Sequence, residues 1–237
     1  MFPAFFDGGN MAGLEDAIEN LYRAFASYPC PAEIDGCPCC VDAKVVKNTL
    51  HSELPKIPED ELWSYVFSVF YTVGDVADFK YFLPRVLEQL ADVRGTAHDP
   101  EVVLCKLVYA GIDDWPEAEK AAVSAYLHAV FHEVLLTDFE DGPWCDGLET
   151  DSWLCGLSRC VTDIAPYIGR LDCPEFEHKK DNFLLANQVF LSGGKLADDW
   201  WYLSDKENVP YRKRLEDNRE RVMLWLQKQT APAVPQP

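Results

Sequence analysis

The chain reads as an all-α protein, and two observations carry that reading. Apolar residues recur at helical spacing along nearly its whole length, with no convincing alternation of apolar and polar positions. Proline, glycine and acidic residues punctuate those segments where helices start and stop. The expected architecture is one multi-helix domain over residues 1–230, built of stacked helix pairs, an α-solenoid being one such arrangement. Sub-structure is expected at 1–95 and 100–230, and APAVPQP at 231–237 reads as a disordered tail.

Taken in order, Leu14, Ile18, Leu21, Tyr22 and Phe25 form the first apolar stripe, behind Gly13 and ahead of Pro29 and Pro31. A helix is expected over residues 41–52. Pro58 followed by Glu59, Asp60 and Glu61 starts the next, placing acids on the positive end of the helix dipole. From Leu62 to Val73 the chain is apolar almost all round, which predicts a central helix buried on most faces. Gly74 ends it, and Asp75 caps a helix carrying Val76, Phe79, Phe82, Leu83, Val86, Leu87 and Leu90. Pro84 inside that helix predicts a kink or break between Lys80 and Pro84. Pro100 opens a helix running to Ile112, and Pro116 opens another. The small stripe Ala118, Ala122, Ala125 and Ala129 of the latter suits close approach of a neighbour. Helices over Trp153–Leu171, Phe176–Leu191 and Tyr211–Lys228 complete the series.

Residue chemistry is concentrated in CPAEIDGCPCC, Cys30 to Cys40, which holds four of nine cysteines. The C-x2-C spacing of Cys37 and Cys40 lets two thiolates of one turn reach a single tetrahedral zinc, and proline pre-sets such a turn. Cys30 or Cys39 would be the third ligand and His51 the fourth, with Glu33 and Asp35 as alternatives. The plain alternative is a set of reduced cysteines used as small apolar side chains. A redox pair lacks the strand-turn-helix setting that lowers a thiol pKa. A chain of 237 residues with 48% hydrophobic content does not need a metal to fold.

GCPCC together with YTVGDVADFKYFLPR (Tyr71 to Arg85) resembles a group of bacterial all-helical proteins. The resemblance covers residues 1–95 and implies a helical fold and a bacterial source, but no activity. The second motif is also accounted for by packing, with Asp75 as a cap and the aromatics as core. Arg85 would then pair with Asp75 or Asp78, or stand exposed for binding.

Charge points to a partner. The net charge is −19, and residues 1–194 hold 33 acidic side chains against 13 basic ones. Such a field repels nucleic acid and anionic lipid and steers a cationic partner inward. The densest stretch, Asp138 to Asp151, has six acids and no base around Trp144, so Asp138, Glu140, Asp141 and Trp144 are the candidate partner-binding residues. No apolar run reaches bilayer length, and the start of the chain lacks a secretory pattern, so a cytoplasmic location and no membrane contact are expected. His128 and His132 stand one turn apart but lack an HExxH arrangement and read as packing residues. No sequence motif of a nucleophile elbow, phosphate loop or dinucleotide fold is present. The leading expectation is an acidic intracellular interaction module that neutralises a basic protein, as immunity proteins do for basic nuclease toxins. The rival is a zinc-binding protein or enzyme using the Cys30–Cys40 cluster.

Overall fold

A computed structural model describes residues 13–36, 52–93, 99–139, 142–204 and 206–230. The described residues form nine α-helices joined by turns and short 3-10 segments, with two isolated β-bridges and no strand: the fold is all-α. They divide into two compact units, the first ending at Val134 and the second beginning at Leu135. The helix expected at 41–52 and the tail 231–237 lie outside the described residues.

The first unit opens with α1 (Leu14–Ala24), capped by Gly13 and burying Ala17 and Leu21. Helix α2 (Glu59–Ser68) starts behind Pro58 with three acids in its first turn, as the sequence predicts. It does not continue to Val73. Phe70 adopts a left-handed φ of 67°, and the chain turns so that the Phe70 N–H donates to the Val73 carbonyl at 3.2 Å. That φ is costly for a bulky side chain and must be held by its surroundings. The hold is visible: Lys106 Nζ donates to the carbonyls of Val69 at 3.1 Å and Phe67 at 3.4 Å. On the other side the Gly74 N–H donates to the Asp35 carbonyl at 2.7 Å. A Cβ on Gly36 would meet Val73 at 2.9 Å, so only glycine allows this approach.

Helix α3 (Val76–Leu90) begins in a full capping box: the Asp75 carboxylate accepts from the Ala77 and Asp78 N–H groups, and Asp78 accepts from the Asp75 N–H. The break expected before Pro84 does not occur, and one helix runs through it with Pro84 buried among Phe82, Leu83 and Val86. Packing of this face outweighs the single lost helical hydrogen bond. Arg85 pairs with neither Asp75 nor Asp78. It bonds Glu88 at 2.7 Å and the Ile57 carbonyl at 3.0 Å, while Glu88 accepts from the Tyr22 hydroxyl of α1 at 2.6 Å.

Helix α4 (Pro100–Tyr109) is followed by α5 (Glu117–Leu136). The alanine stripe is not the packed face of α5: Ala122 and Ala129 are buried, but Ala118 and Ala125 are exposed. The inward line runs instead through Glu119, Val123, Tyr126 and Val130. Glu119 is there because Lys80 is: Lys80 Nζ reaches Glu119 at 2.7 Å and Tyr28 Oη at 3.0 Å, and lies 4.4 Å from the Trp115 ring. The buried pair is thus fully hydrogen-bonded, the condition under which buried charges are tolerated.

In the second unit α6 spans Pro143–Cys160, starting ten residues before the expected Trp153. Gly142 with φ 88° and Pro143 at the first helical position form its start. The expected run to Leu171 is broken after Cys160 because α9 (Arg212–Thr230) caps the helix end. Asn218 Nδ2 donates to the carbonyls of Ser158 and Val161, its Oδ1 accepts from the Ile164 N–H, and Arg214 bonds the Cys160 carbonyl at 2.7 Å. A short α7 (Ala165–Ile168) and 3-10 turns lead to α8 (Glu177–Leu191). Helices α6 and α8 touch at Gly147, where a Cβ would clash with the Asn182 carbonyl oxygen.

Candidate functional site

The stretch Asp138 to Asp151 is not a single solvated acidic loop. Its second half is the first two turns of α6, and two of its acids are interior. Asp146 is buried and paired with Lys179 of α8, which also donates to the Thr137 carbonyl; Asn182 Nδ2 donates to the other Asp146 oxygen at 2.6 Å. Asp151 is wholly buried and accepts from the Trp201 indole at 2.7 Å and from the Asp198 N–H at 3.1 Å. Burial pushes its carboxyl up to about 7 despite those two donors. The cation that balances the stretch is therefore supplied from α8, thirty-three residues away from Asp146.

Of the predicted partner-binding set, Asp138 is exposed and lies 3.7 Å from His178 and 3.8 Å from Lys179. Trp144 sits in the first turn of α6 and is 40% exposed. Glu140 and Asp141 lie outside the described residues. The structure places Asp138 and Trp144 in the second unit.

Of the predicted metal ligands, Cys37, Cys40 and His51 lie outside the described residues, as does Cys39. Cys30 is exposed, and its Sγ lies 3.7 Å from the Pro31 carbonyl. It also meets Tyr81 of α3, whose hydroxyl is pushed up to about 12, by burial first and then by its hydrogen bond to Cys30. The arm from Cys30 to Gly36 is thus fixed against α3 and the 69–74 turn. Cys105, Cys155 and Cys160 are buried, where thiols pack as small apolar side chains. His128 and His132 are half-buried on α5.

What the sequence reading missed lies around Lys106. Lysine is almost never found in a core, and nothing in PEVVLCKLVY marks this one as interior. Its side chain is 1% exposed, and its ammonium lies 3.8 Å from the centre of the Tyr71 ring and 5.8 Å from that of Tyr109. Burial lowers its pKa to about 8. Because it holds the Phe67 and Val69 carbonyls, α2 ends at Ser68. Two aromatics read as core in the 62–73 segment are outside instead: Phe67 and Tyr71 are each 57% exposed. Trp63, one turn before Phe67, stacks obliquely on it with ring centroids 6.0 Å apart.

Lys80 and Lys106 are interior, but so are Glu101 and Glu119, so the acidic excess of the first unit is carried by its remaining residues. Residues 6–134 contain 22 acidic and nine basic side chains. Two of those nine are interior, and Lys56, Arg85 and Lys120 are each in an ion pair with a neighbouring glutamate. Residues 135–237 are closer to balance, with 18 acidic and 12 basic side chains. Among the described residues no helix is long and apolar enough to cross a membrane.

No protein-family model, curated protein or solved structure matches the chain.

Proposed function

We propose that the protein is an acidic interaction module whose partner is a basic protein. The observation that supports this reading best is the placement of charge in the first unit. Among the described residues Lys80 and Lys106 are interior and Lys56, Arg85 and Lys120 each pair with a glutamate, while exposed carboxylates face solvent along α1 (Glu15, Asp16, Glu19), at the start of α2 (Asp60) and at Asp114. Such a surface raises the encounter rate with a cationic protein and disfavours nucleic acid and anionic lipid. The partner would be neutralised by occlusion of its basic face, the class of action shown by inhibitors of basic toxins. Affinity capture with the full chain from its own cells at low salt tests this. The expected result is one basic protein recovered in stoichiometric amount and released by salt; recovery only of acidic proteins or of none overturns the proposal.

A second reading is favoured by the ligand spacing of the CPAEIDGCPCC segment, at whose head Cys30 is exposed. Here Cys30, Cys37, Cys40 and His51 hold zinc as three thiolates and an imidazole, a set suited to a closed structural site.

A further inference from the structure

Resting on the reading of the protein as a module for a basic partner, we infer that the partner docks on the aromatic face of α2, Asp60–Trp63–Phe67, continued by Tyr71. Residues 60, 63 and 67 are spaced i, i+3 and i+7, so one carboxylate and two aromatic rings line a single helix face. Phe67 and Tyr71 both stand open to solvent, and Lys106 beneath them fixes the backbone of one and the ring of the other. An aromatic surface on a rigid support is the kind of feature that dominates interface energetics.

Its occupant follows from charge. This face belongs to the unit with 22 acidic and nine basic residues, Asp60 on it is exposed, and the exposed Asp75 follows Tyr71 by four residues. Aromatic rings bordered by carboxylates suit an arginine: the guanidinium stacks on the ring while its edge bonds the acid. Lys106 already occupies the inner face of Tyr71, so the pair Trp63 and Phe67 takes the incoming guanidinium and Tyr71 forms the rim. A second group of exposed apolar residues, Leu185, Val189 and Phe190 on α8, lies in the unit with 18 acidic and 12 basic side chains, where the pull on a cation is weaker.

The test measures binding of a fluorescent oligo-arginine peptide to the full chain at one salt concentration. Phe67→Ala and Trp63→Leu should each weaken binding about tenfold, Asp60→Asn by a few fold, and Val189→Ala not at all. Phe67 is mostly exposed, so its variant is expected to keep the wild-type circular dichroism; Phe67→Gln, which keeps the length of the side chain, serves as a second variant. Wild-type affinity in both Phe67 variants, or loss of binding in Trp144→Ala alone, overturns this docking face while leaving the acidic-module reading standing. A wild-type chain that does not bind the peptide overturns that reading itself. A dimer in light scattering that Phe67→Ala dissolves makes the occupant a second copy of the chain and overturns the proposal.

Discussion

Lys179 of α8 and Asp146 of α6 form an ion pair that is wholly inside the second unit, with the lysine side chain fully buried and that of the aspartate 5% exposed. The Thr137 carbonyl and the Asn182 amide complete the hydrogen bonding of the pair. Removing one partner leaves the other charge buried and unmatched, which costs about 3–5 kcal/mol. Lys179→Met and Asp146→Leu should each lower the stability of the second unit by that amount in urea denaturation. The double variant Lys179→Met with Asp146→Leu should recover much of the loss. If the double variant is as unstable as the sum of the singles, the two charges are not coupled.

Close helix contact yields a second expectation. Gly147 faces the Asn182 carbonyl, and any Cβ there must push α6 from α8. Gly147→Ala should destabilise by at least ~1–3 kcal/mol, the usual cost of overpacking, although alanine is the better helix former. A neutral or stabilising effect in thermal unfolding would contradict the contact.

The Asp75 capping box gives a third. Asp75→Ala removes acceptors for the Ala77 and Asp78 N–H groups and should cost about 1 kcal/mol. Asp75→Asn should cost less, since asparagine also caps.

Lys106 sets a pH dependence whose sign is opposite to that of a paired lysine. Its pKa in the folded state is about 8, below its ordinary value of 10.5. The unfolded chain therefore binds more protons between pH 8 and 10.5, and the burial cost is relieved as pH rises through that window. The shift corresponds to about 3 kcal/mol. Wild type should thus gain stability relative to Lys106→Met from pH 8 to 10.5, and the difference should be flat below pH 7. A loss of wild-type stability relative to Lys106→Met with rising pH would mean that the ammonium is stabilised, not strained, by its site.

The parts of this fold that were legible in the sequence are those decided locally. Proline at a first helical position, Asp75 at a cap and apolar spacing along α1, α3 and α8 each follow from neighbours in the chain. What was not legible was decided by distant partners. Helix α2 ends at Ser68 because a lysine thirty-seven residues past Val69 claims its carbonyl. Helix α6 ends at Cys160 because Asn218 and Arg214 claim its last carbonyls. The same holds for the candidate site. The acidic character could be counted, but composition does not reveal that Asp146 and Asp151 are interior. Nor does it reveal that Phe67 and Tyr71, read as core, face solvent. One cue was present for α6: Gly142–Pro143 is a helix start even inside an acidic stretch.

For the zinc reading, metal analysis of protein purified without chelators should give one zinc per chain, and Cys37→Ser with Cys40→Ser should abolish it. Zinc content that is absent, or unchanged in that variant, removes this reading.

The central claim is that exposed carboxylates of the first unit bring in a basic partner. The most direct measurement is the association rate of the full chain with the basic protein it captures, followed by stopped flow across a series of salt concentrations. The rate should fall at least ~10-fold between low and high salt, and Asp60→Asn with Asp75→Asn should flatten that slope. An association rate that does not change with salt would contradict the account.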